Sequence, residues 1–69
     1  SSAASDVYKR QELKKLNEKI DKLSKFLAKH NKKTLSANQF ELLKEQKQAM
    51  SKYARVLELR IKDLNKEAK

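Results

Sequence analysis

Sixty-nine residues make one domain at most, and two elements of that length shield only a modest core from water. With no cysteine and a single histidine, neither thiol chemistry, a disulfide framework, a nucleophile and base pair of the usual kinds nor a zinc site can be assembled, so no enzyme and no cofactor is expected. Eighteen Lys and Arg against nine Asp and Glu leave a formal charge of +9, which suits a polyanionic partner.

The absence of glycine removes any glycine-rich phosphate loop. No apolar run is long enough for a membrane span and no secretory signal is visible, so no membrane partner is expected.

Residues 1–5 are expected to be disordered or tag-derived. Ser5 suits an N-cap, with Asp6 at the positive end of the helix dipole. Leu13, Leu16, Ile20, Leu23 and Leu27 then recur at alternating spacings of three and four, predicting one apolar stripe on a helix over about 6–30. Lys29, His30, Asn31, Lys32 and Lys33 mark its end, where cations favour the negative dipole end and Asn31 can take the left-handed cap conformation. Residues 1–34 hold ten cations against four anions. Lys15, Lys19, Lys22, Lys29 and Lys33 line one side of this helix, as a solvated face or a phosphate-tracking one.

A turn over 31–36 leads to Ser36-Ala37-Asn38-Gln39, a capping box in which Ser36 and Gln39 satisfy each other's orphan amides. Leu35 and Phe40 flank it as a hydrophobic staple. The second helix is predicted over about 37–67, on the stripe Phe40, Leu43, Met50, Ala54, Leu57, Ile61 and Leu64, with Lys47 interrupting. Its greater length implies a C-terminal overhang on the order of 10 Å past its partner. Asp21 with Lys25, Glu18 with Lys22 and Glu58 with Lys62 are spaced as favourable i,i+4 pairs.

These elements predict an all-α fold, an antiparallel helical hairpin over 6–69. Leu42, Ala49, Tyr53 and Val56 form a second apolar line on the second helix. One antiparallel neighbour cannot cover both lines, so a homo-oligomer, a larger helical bundle, is expected.

Gln46, Tyr53 and Arg60 fall at intervals of seven along that second line, and polar groups in a buried stripe require partners. If Leu27 faces Phe40, then Tyr53 faces Lys14 and Arg60 faces Val7 and Tyr8. The open end would thus gather Tyr8, Arg10, Lys14, Tyr53 and Arg60, with Lys22 and Gln46 farther along. Two rings able to stack on bases among cations able to hold phosphates suit a nucleotide-type anionic small ligand. The competing arrangement packs both tyrosines into the hairpin's mouth with Arg60 bridged to Glu12.

Glu12, Leu16, Lys19, Ile20, Lys22, Leu23, Phe26 and Leu27, then Leu43, Gln46, Ala49, Met50, Tyr53, Leu57, Arg60 and Ile61, resemble a family of small phage and prophage proteins related to a crAss-like phage protein. The most specific stretch is Gln46 to Ile61, which reads Q-x-x-A-M-x-x-Y-x-x-V-L-x-x-R-I. Where other members tend to carry Trp or Arg near the start of the first helix, this chain has Val7 and Tyr8. In architecture and composition the chain is also similar to the helical-hairpin sponges with which phages counter CBASS and Thoeris. That likeness implies an anti-defence protein in the host cytoplasm that sequesters a nucleotide immune signal, a cyclic oligonucleotide or an ADP-ribose derivative, between subunits. Two other functions stay open: a hairpin that inhibits or adapts a host protein through its apolar line, and a basic hairpin that binds nucleic acid through its lysine face.

Overall fold

The computed structural model describes residues 2–29 and 35–67, and the side chains of 7–29 and 35–64. Two helices, α1 (Ser2–Ala28) and α2 (Ala37–Glu67), pack along their lengths as a hairpin in a rod of 53 × 15 × 15 Å. The fold is the expected one.

The start of α1 differs from expectation. Helix begins at Ser2, so residues 2–5 are helical and Ser5 stands inside the first turns of α1. Ala3 and Ala4 supply the strong helix propensity that carries the backbone back past a good capping residue. The helix closes at Ala28 rather than near His30, with the Lys29 amide donating to both the Lys25 and Phe26 carbonyls at 3.1 and 3.2 Å. Such a shared donor is how a last helical turn tightens. The cap assigned to Asn31 and the dipole role of His30 fall outside the described residues. At 27 and 31 residues the helices differ less than expected, which cuts the overhang to roughly 6 Å.

The start of α2 follows from its local chemistry. The Gln39 amide donates to Ser36 Oγ at 3.1 Å and the Phe40 amide to the Ser36 carbonyl at 3.0 Å. The first satisfies one of the amides that a helix start leaves without partners, and the second is the first regular bond of the helix. Leu35 and Phe40, the staple pair, are both half-buried.

The core is small and lies toward the open end. Leu57 is fully buried, and Ala54 and Ile61 join it as the buried hydrophobic residues among those described. Leu13, Leu16, Ile20, Leu23 and Leu27 from α1, with Leu43, Met50 and Leu64 from α2, are half-buried along the same seam. Asp21 pairs with Lys25 at 3.0 Å and Glu58 with Lys62 at 3.4 Å on exposed surfaces, each worth about 0.3 to 0.5 kcal/mol. Leu42, Ala49, Tyr53 and Val56, the second apolar line, are exposed on the single hairpin.

Candidate functional site

Helical spacing divides the hairpin into two flanks on either side of the Leu57 seam. On one flank α1 presents Tyr8, Glu12, Lys15, Lys19 and Lys22, one or two turns apart in a single row. On that flank α2 presents Leu42, Gln46, Ala49, Tyr53, Val56 and Arg60 at the same three and four spacing. A groove of about 510 Å³ runs between the rows, lined by Tyr8, Gln11, Glu12, Lys15, Leu16, Lys19 and Tyr53.

One hydrogen bond crosses this groove. The Tyr53 hydroxyl donates to Glu12 Oε2, tying α2 to α1. Accepting that proton donor, Glu12 raises the Tyr53 pKa above its ordinary 10.0, and partial loss of water and the carboxylate charge act in the same direction. Arg60 opposes them, favouring the phenolate electrostatically. Tyr8 remains 71% exposed and Tyr53 45% exposed, leaving ring surface free for stacking on both.

The seven residues singled out from the sequence therefore do not form one cluster in a single hairpin. Tyr8 and Tyr53 line the groove, and Arg60 shares its flank outside the lining. Gln46 and Lys22 lie on that flank as well, exposed and nearer the turn, outside the groove's lining. Arg10 and Lys14 are on the opposite flank, in a separate groove of about 470 Å³ with Leu13, Asn17, Glu18 and Asp21. Arg10 also lines a further groove on that side together with Glu58, Ile61 and Lys62 of α2. The expected facing of Tyr53 and Lys14 is thus replaced by Tyr53 on Glu12, and Glu12 takes Tyr53 rather than Arg60. The reason is rotational: residues two apart on a helix differ by about 200° in direction, so Glu12 and Lys14 cannot serve the same face.

Gln11, Glu12, Lys15 and Lys19 complete the groove without having been assigned to it from the sequence. The spacing of Tyr8, Glu12, Lys15 and Lys19 at four, three and four was the available signal. Near the turn a third groove, about 680 Å³, is lined in part by Leu27, Phe40, Lys44 and Lys47. There Lys44 sits 5.4 Å from the Phe40 ring centre and 3.2 Å from Glu41.

Among the described residues no three His, Cys, Asp or Glu side chains gather as metal ligands would, and no helix is long and apolar enough to cross a membrane. Exposed rings, lysines, one arginine and a single carboxylate can bind and orient an anionic, aromatic ligand. No curated protein and no solved structure matches the chain. The family model Sequestin does match, over residues 10–63, from the second turn of the Tyr8 row through the Tyr53 and Arg60 line, and the chain belongs to the Sequestin family.

Proposed function

We propose that this protein is a phage-encoded anti-defence sponge: it binds a nucleotide immune signal, a cyclic oligonucleotide or an ADP-ribose derivative, and holds it away from its receptor. The family name is consistent with sequestering a molecule. The observation that carries the choice of ligand is the groove itself, where two half-free tyrosine rings stand beside Lys15 and Lys19, and Arg60 adds positive potential next to Tyr53. Rings accept bases by stacking and ammonium groups accept phosphates.

The bare line of Leu42, Ala49 and Val56 borders this flank. A second hairpin laid over it would close the open groove and place the ligand between subunits of a homo-oligomer. Desolvating the groove in this way strengthens its charge-assisted contacts. Arg10, Lys14 and Lys22, outside the groove of one hairpin, could then meet the ligand from a neighbouring copy.

Calorimetry with a panel of cyclic oligonucleotides and ADP-ribose derivatives, with duplex DNA and RNA as controls, tests the reading. Saturable binding of a small nucleotide at a fixed ratio to the oligomer supports it. Binding of the duplexes alone, falling steeply with salt, supports the nucleic-acid hairpin instead. Binding of neither, with a host protein captured through the Leu42 to Val56 line, supports the inhibitor.

A further inference from the structure

Glu12 is out of place in an anion site. It is the one carboxylate lining a groove whose other charged groups are Lys15 and Lys19. A groove that merely tracked phosphates would gain nothing from a negative charge at its centre, since like charges within a few Å repel. The Tyr53 hydroxyl occupies one of the carboxylate oxygens, Oε2, and an ionised carboxylate offers about four acceptor positions, so Glu12 keeps capacity for a donor brought by a ligand.

Its position along α1 says which donor. Tyr8 lies one turn toward the open end from Glu12, and Lys15 and Lys19 lie on the turn side, about 5 and 10 Å along the axis at the helical rise. The row therefore reads ring, carboxylate, cations. A nucleotide reads base, ribose, phosphate in the same order, and a carboxylate accepting from ribose hydroxyls is an established way of recognising that sugar.

We propose that Glu12 is the specificity-determining residue of this groove: it accepts hydrogen bonds from the ribose hydroxyls of the ligand, with the base on Tyr8 and the phosphates on Lys15 and Lys19. The inference rests on the nucleotide-binding function proposed above and adds a polarity and a sugar requirement to it. Through its bond to Tyr53, Glu12 also fixes that ring at the groove wall, so a positioning effect has to be separated from the direct contact.

The test combines two changes in the ligand with two in the protein. ADP-ribose, ADP and 2′,3′-dideoxy-ADP are titrated into the wild-type oligomer, E12A and E12Q, with far-ultraviolet circular dichroism and light scattering confirming fold and assembly. The wild type should favour ADP over its dideoxy analogue by tenfold to roughly a hundredfold, the worth of a charge-assisted hydrogen bond. E12A should bind the two equally. E12Q, whose amide oxygen still accepts from Tyr53, should keep the Tyr53 ring in place and restore part of the preference. Inorganic pyrophosphate should bind E12A as well as or better than the wild type, because a repelling charge is gone. Equal preference for ADP over dideoxy-ADP in the wild type and E12A, or equal losses for ADP and pyrophosphate in E12A, overturns the role of Glu12 while leaving nucleotide binding standing. A wild type that binds pyrophosphate but no nucleotide overturns both.

Discussion

Tyr53 and Glu12, 41 residues apart in sequence, share a hydrogen bond across the hairpin, and through it α2 is tied to α1 beside the groove rather than over the core. The bond needs the phenol protonated. Glu12 raises the Tyr53 pKa above 10.0, so the folded chain holds that proton more tightly than the unfolded chain does. Stability from this source is fully present below the ordinary tyrosine pKa and is lost as pH rises through the raised folded value.

Absorbance titration of phenolate formation, taken as wild type minus Y53F, is expected to place Tyr53 above 10.0. In E12A the same difference should move back toward 10.0, because the largest cause of the shift has gone. A Tyr53 titration unchanged by E12A would mean that the bond does not persist in solution.

Leu57 is expected to be the most sensitive core position. Its side chain is completely shielded whereas Met50 is half-buried on the same stripe. Leu57→Ala should cost about 3 to 5 kcal/mol in urea unfolding and Met50→Ala about 2, following the transfer and cavity terms for deleted methylenes. Equal losses at the two sites would indicate that an oligomer interface buries Met50 further.

Ser36→Ala should cost about 0.5 to 2 kcal/mol, since the Gln39 amide loses its acceptor. Ligand affinity should not change, because Ser36 is at the turn and takes no part in lining the Tyr8 to Lys19 groove. Thermal unfolding and calorimetry on the same sample check both halves of that statement.

Arg60→Ala and Lys15→Ala are each expected to weaken nucleotide binding tenfold to roughly a hundredfold, the range for a charge-assisted contact. Lys29→Ala, at the far end of α1, should matter little. Lys14→Ala separates two geometries: no effect means a groove served by one hairpin, and a loss comparable to Arg60→Ala means that a second copy brings its opposite flank to the ligand.

Val56→Glu on the bare line should shift light scattering toward the single hairpin, with helicity largely kept, because the side chain is exposed there. Loss of helicity together with assembly would make the oligomer obligatory for folding.

The sequence by itself determined what is local. The three and four spacing of Leu13 to Leu27 and of Phe40 to Leu64 specified two helices, the Ser36 box specified where the second begins, and one seam between two helices specified a hairpin. These follow from interactions within a turn or two of chain, which is why they could be read from residue order. The ends of α1 were less legible, because alanine propensity at its start competes with the cap that Ser5 offers.

Only the tertiary structure decided which flank each residue serves. The relative rotation of the helices is set by how Ala54, Leu57 and Ile61 seat against α1, a packing solution spread over the whole seam. A difference of two residues in facing turns a side chain by about 200°. It moved Lys14 and Arg10 out of the groove and brought in Glu12, Lys15 and Lys19, so that Glu12, which the competing arrangement paired with Arg60, is the carboxylate that holds Tyr53.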